Sequence, residues 1–158
     1  MDVATPYAGI TAERFAEAQA RVAAHARHTP LLTSRVLSER TGFNVRLKAE
    51  VFQRGGSYKI RGPLNKLALL NDEERARGVV CSSAGNHAQG VALAAAIYGI
   101  RAVVVMAQNA TPSKIEATRA YGVEVVLHGT IWDEANEKAQ QLVVDEGLTY
   151  VHPSMTRT

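Results

Sequence analysis

VVCSSAGNHAQGVALAAAIYGIRAVVVM, from Val79 to Met106, is the stretch whose reading decides the fold. VVCS (Val79 to Ser82) is short, β-branched and apolar almost throughout, which predicts a strand buried on both faces. HAQGVALAAAIYG continues as a helix closed by Gly99, and AVVVM (Ala102 to Met106) repeats the strand pattern. A strand, a helix and a second strand in succession make one crossover unit of a parallel sheet.

The same alternation extends outward on both sides. Thr111 and Pro112 predict a helix start, cap then first-turn proline, and Gly122 predicts its stop. VEVVL (Val123 to Leu127) reads as a strand, DEANEKAQQLVVDEG as a helix and TYV (Thr149 to Val151) as a last short strand. Toward the N-terminus, TAERFAEAQARVAAHA (Thr11 to Ala26) sets Phe15, Ala18 and Val22 on one helical face, with Thr11 placed as the cap. A short helix is predicted from Ser34 to Gly42 and a strand over NVRLKAE (Asn44 to Glu50). Arg54, Gly55 and Gly56 then form a loop into a helix that carries Lys59. The fold class is α/β, a doubly wound parallel twisted sheet flanked by helices.

With 158 residues, 46% of them apolar, the chain can bury one proper core. The 18 basic and 15 acidic residues are spread along helical segments without forming a stripe, which argues against nucleic acid. No apolar run approaches the roughly 20 residues that a membrane span needs, and MDVATPYAG carries no basic, hydrophobic secretion signal. A cytoplasmic protein without a membrane or metal partner is expected. Cys81, the single cysteine, sits in a strand pattern and reads as core, not as a nucleophile.

Ligands of open parallel sheets gather beyond the carboxyl ends of the strands, so the loops after Glu50, Ser82, Met106 and Leu127 are the places for chemistry. SSAGNHAQG (Ser82 to Gly90) turns tightly at a strand end and points helix N-terminal amides into the crevice, an anion site. It is not a phosphate-binding P-loop, because Val91 and Ala92 stand where Lys and Ser or Thr are needed, and it lacks the glycines of a dinucleotide fingerprint. Any one of Ser82, Ser83, Asn86 and His87 could merely satisfy backbone groups. Lys59, taken alone, reads as a surface lysine. If the strand ending at Glu50 lies beside the one ending at Ser82, however, both loops open on one crevice. A partly desolvated amine at a helix N-terminus there is a competent nucleophile toward an aldehyde. Arg61 and Lys66 read as surface or helix-capping groups.

Ser57, Tyr58, Lys59, Ile60, Arg61 and Gly62, preceded by LKAEVFQRGG, together with SSAGNHAQGVALAA, closely resemble the serine/threonine dehydratases, pyridoxal-phosphate enzymes of fold type II. The resemblance runs from about Thr29 to Pro153. It implies pyridoxal 5'-phosphate as cofactor and Lys59 as both its Schiff-base partner and the base that takes the substrate Cα proton. It implies Asn86 at the phenolic oxygen of the cofactor, Phe52 near the cofactor, and Ser83, Gly85, Asn86 and His87 around the substrate carboxylate, largely through backbone amides. The implied reaction is β-elimination of water from L-threonine or L-serine to a 2-oxo acid and ammonia. Ala84 stands where related serine racemases place a serine acid, which favours elimination over racemisation.

Family chains continue past a His-Pro pair into a glycine-rich phosphate loop, whereas this sequence ends HPSMTRT. The expected organisation is N-terminal helices of the large domain (1–45), a small cofactor-facing α/β domain (46–151) and a tail (152–158). On that reading the rest of the large domain is absent, the isolated chain is inactive and a complete protein is a homo-oligomer. The alternative expectation is a non-catalytic truncated paralogue that acts as an interaction partner of a full-length subunit.

Overall fold

The computed structural model describes residues 10–153. Helix α1 (Ala12–Ala23) begins where the sequence places it, with Thr11 Oγ1 accepting the Arg14 amide at 3.3 Å, and stops short of Ala26. Of its expected apolar stripe only Val22 is buried, while Phe15 is 65% exposed.

Strand β1 (Leu31–Thr33), helix α2 (Arg35–Thr41) and strand β2 (Arg46–Lys48) follow. Ser34 and Gly42 bound α2 as expected, but β1 was not foreseen. It pairs antiparallel with β2, Leu31 opposite Lys48 and Thr33 opposite Arg46, in a ribbon separate from the main sheet. The premise that the strand ending near Glu50 lies beside the one ending at Ser82 is therefore corrected. Its alternating Arg46 and Lys48 suit an exposed antiparallel ribbon and could not enter a parallel sheet covered on both faces.

Three short 3-10 turns (Glu50–Phe52, Arg54–Gly56 and Tyr58–Ile60) lead into α3 (Arg61–Ala68), so Lys59 lies in the turn that opens this helix. Helix α4 (Asp72–Arg77) was also unforeseen. Its signal was present, because Asn71 and Glu74 each accept the other's amide at 2.9 Å in a capping box.

The remaining elements alternate: β3 (Val79–Ser82), α5 (Asn86–Tyr98), β4 (Ala102–Met106), α6 (Pro112–Arg119), β5 (Glu124–Leu127), α7 (Trp132–Glu146) and β6 (Thr149–Tyr150). Thr111 holds the cap position of α6 without a side-chain capping bond. The strands form one parallel sheet in the order β5-β4-β3-β6, with Val79 aligned to Ala102 on one side and Thr149 on the other. Only β3 and β4 are buried along their whole length; β5 and β6 are edges and carry less complete burial.

Alternation along the central strands divides the core. Val79, Cys81, Val104 and Met106 pack with α3, α5 and Ile115 of α6 on one face, and Val80, Val103 and Val105 pack with Ala135 and Ala139 of α7 on the other. Leu64 and Leu67, fully buried, join α3 to the first of these clusters, each contributing about 1.5–3 kcal/mol of burial. Among the described residues no helix is long and apolar enough to cross a membrane, and no group of His, Cys, Asp and Glu could hold a metal ion.

Candidate active site

Chain order changes direction at β3. From β3 the chain passes through α5 to β4 and β5, and α7 then carries it back to β6 on the opposite side of β3. A crevice opens at such a switch point, beyond the carboxyl ends of the strands. Around it stand the Ser83–Gly85 turn with the first turn of α5, the segment after β6, and the turn that carries Lys59.

Gly85 occupies the cap position of α5 and offers no capping side chain. The first helical bond runs from the Gln89 amide to the Gly85 carbonyl at 3.4 Å, so the amides of Asn86, His87 and Ala88 precede the helical ladder. Ser83 Oγ accepts the Gly85 amide at 3.1 Å and fixes the turn. Three convergent amides at the positive end of a 13-residue helix make an anion-receiving surface. His87 takes no part through its ring. Its Nε2 lies 2.9 Å from the Val151 carbonyl, and burial, ahead of the opposing effect of that bond, lowers its pKa, with the nearby charges of Lys59 and His152 acting in the same direction as burial.

Lys59 reaches this crevice through helix packing and not through strand adjacency. A Cβ on Gly90 would stand 2.7 Å from the Lys59 carbonyl oxygen, so only glycine lets α5 lie against the backbone of the Lys59 turn. Ser57 Oγ caps that turn by accepting the Lys59 amide at 3.1 Å. The Lys59 side chain is half-buried; its Nζ donates to the Pro153 carbonyl at 3.0 Å and stands 5.4 Å from the centre of the Tyr58 ring.

Arg61 is more than a surface or capping group. Its guanidinium grips both oxygens of Glu50 at 2.9 and 2.7 Å, and Glu50 also accepts the Thr29 hydroxyl at 2.5 Å. The Arg61 bonds, opposed by partial burial and reinforced by Thr29, hold the Glu50 carboxyl down at a pKa of about 2. This clamp ties the β1–β2 ribbon to the first residue of α3, two positions from Lys59.

The structure thus brings the Lys59 turn against α5, with the Lys59 charge acting on the His87 ring, whereas Ser83 lines a separate cavity with Ala84, Asn109 and Trp132. Phe52 ends a neighbouring turn and is 58% exposed, and no hydrogen bond or ring contact links it to Lys59 among the described residues. Tyr58, Gly90 and the carbonyls of Val151 and Pro153 were missed in the sequence. Tyr58 and Gly90 carried a signal, an aromatic next to the lysine and a glycine inside a helix, where it costs about 1 kcal/mol. Backbone carbonyls carry none. Ser82 Oγ, fully buried, has no hydrogen-bond partner among the described residues.

An amine, an adjacent aromatic ring and an uncapped helix N-terminus form a donor set that fits an aldehyde-bearing cofactor together with an amino-acid carboxylate. Comparison with known proteins agrees. The family model described as pyridoxal-phosphate dependent enzyme matches residues 22–158. The chain is 52% identical over 144 residues to the L-threonine ammonia-lyase of Thermotoga maritima, a match that covers 91% of this chain and 36% of the relative. Among solved structures it resembles maize serine racemase (TM-score 0.85, 34% identity, 92% of this chain and 44% of that one). It also resembles the processed isoform 2 of threonine deaminase from Solanum lycopersicum (TM-score 0.79, 39% identity, again 92% and 44%). The chain therefore spans less than half the length of the relatives it matches.

Proposed function

Because the chain belongs to the pyridoxal-phosphate-dependent enzymes, we propose that it carries the lysine-bearing part of an enzyme that deaminates L-threonine, with L-serine as a second substrate, by β-elimination of water. The products are a 2-oxo acid and ammonia. The observation that carries this reading is the packing of the Lys59 turn against α5, a helix whose N-terminus has no side-chain cap.

Lys59 would hold the cofactor covalently through Nζ and, once released by the incoming amino acid, would take the proton from its Cα. Ser83, Gly85, Asn86 and His87 would receive the substrate carboxylate through the turn and its amides, and the Asn86 side chain, exposed at the mouth of the crevice, would meet the cofactor's phenolic oxygen. Tyr58 and Phe52 are the aromatic groups available to the cofactor ring. When bound, pyridoxal phosphate supplies an electron sink for the charge left at Cα. Ala84 has no hydroxyl with which to return a proton from a second face, which supports elimination over racemisation.

The division into residues 1–45, 46–151 and 152–158 belongs to the same reading. The pairing of β1 with β2 spans its first boundary and would tie the two parts together. A homo-oligomeric, cytoplasmic complete protein is likewise proposed. The test is deamination of L-threonine by the complete protein that carries this chain, supplied with pyridoxal phosphate and followed as 2-oxobutyrate. Lys59→Ala is expected to lose about a thousandfold in rate. Equal turnover by wild type and variant would overturn the reading.

A further inference from the structure

His87 carries an imidazole whose use the carboxylate role leaves open, since that role needs only its backbone amide. His87 is 6% exposed, and among the described residues its ring is hydrogen-bonded to the Val151 carbonyl at 2.9 Å. A carbonyl can only accept, so Nε2 bears the proton and Nδ1 does not. Val151 is also the last residue that the sheet holds: its amide donates to the Val80 carbonyl at 2.8 Å, and no ladder bond follows. Past this point come His152 and Pro153, a stiff pair, because the proline ring fixes its own φ and keeps the preceding residue extended. The His152 ring lies 5.9 Å from the Tyr150 ring, and the Pro153 carbonyl oxygen accepts from Lys59 Nζ at 3.0 Å.

We propose that His87 is a positioning residue: by holding the Val151 carbonyl it sets the exit of β6, and so places the Pro153 carbonyl as the acceptor that orients Lys59 Nζ whenever the lysine is not bonded to the cofactor. The inference rests on the function proposed above. A lysine side chain samples many rotamers in solution, and an acceptor at a fixed place restricts Nζ to the crevice before the aldehyde arrives. The stiff His152-Pro153 link carries the position of Val151 on to the Pro153 carbonyl, beside the His152–Tyr150 ring contact, and the buried His87 ring holds the Val151 carbonyl beyond the ladder.

The experiment follows capture of pyridoxal phosphate by the chain, as the absorbance of bound cofactor against time, with borohydride fixation and peptide mapping to confirm Lys59. His87→Ala is expected to slow capture about tenfold. His87→Gln, whose amide can again donate to Val151, is expected to restore the rate to within about threefold of wild type. Long-range proton–nitrogen spectra of the wild type are expected to show the Nε2–H tautomer of His87 without cofactor. Capture by His87→Ala at the wild-type rate, or a wild-type Nδ1–H tautomer, overturns the proposal while leaving the proposed function in place. Should His87→Ala fail to fold, His87→Gln decides alone, and a tenfold slowing in that folded variant overturns it. A wild-type chain that captures no cofactor at Lys59 overturns both.

Discussion

A methyl group on Gly90 would stand 2.7 Å from the Lys59 carbonyl oxygen and 2.9 Å from its carbonyl carbon, so helix α5 and the Lys59 turn touch backbone to backbone. The contact gives Gly90→Ala a sign that intrinsic propensity would not. Alanine inside a helix is favoured over glycine by about 1 kcal/mol. Forcing a methyl into occupied space costs about 1–3 kcal/mol. A net loss of roughly 1 kcal/mol, read from the urea midpoint, is expected together with slower cofactor capture. A variant more stable than wild type would show that the two backbones can part freely.

Acid should weaken the fold in two windows. His87 is buried and its pKa lowered, so the unfolded chain takes up its proton first; that stability is complete above about pH 6.5 and is lost as the pH falls below it. Glu50, held at about 2 chiefly by Arg61, contributes stability present above its unfolded value of about 4.5 and lost as the pH falls from there toward 2. Because the Arg61 side chain is 36% exposed, solvent screening limits the Glu50 share to about 1 kcal/mol. Urea midpoints across pH 2–7 check this: Glu50→Gln should flatten the lower window and leave the upper one unchanged. An unaltered slope below pH 4.5 would remove the clamp from the account.

Cys81 is fully buried beside Val104 of β4 in the cluster that α5 covers, and burial pushes its thiol up to about 12. The native chain should therefore resist a thiol reagent at pH 8, with labelling governed by unfolding. Rapid stoichiometric modification without loss of structure would contradict that placement.

The parallel sheet was legible because residues 79–81 and 102–106 are short runs rich in β-branched residues and apolar on both faces, as strands covered twice must be. The β1–β2 ribbon was not legible, since LLT and RLK are each three residues long and too short for a period to register. The same limit misplaced the route by which Lys59 joins the site: its approach depends on the missing side chain of Gly90, and a glycine inside a helix does not name the backbone it faces. Ser83 to His87 were readable as an anion turn from small residues at a strand end. The partners of His87 and Lys59, the carbonyls of Val151 and Pro153, lie far along the chain and belong to the backbone, which every residue shares.

The most direct test of the account is borohydride reduction of the chain with pyridoxal phosphate, followed by peptide mapping. The predicted result is a single phosphopyridoxyl adduct on Lys59, with Lys48, Lys66, Lys114 and Lys138 unmodified. An adduct spread over those lysines, or absent from Lys59, would contradict it.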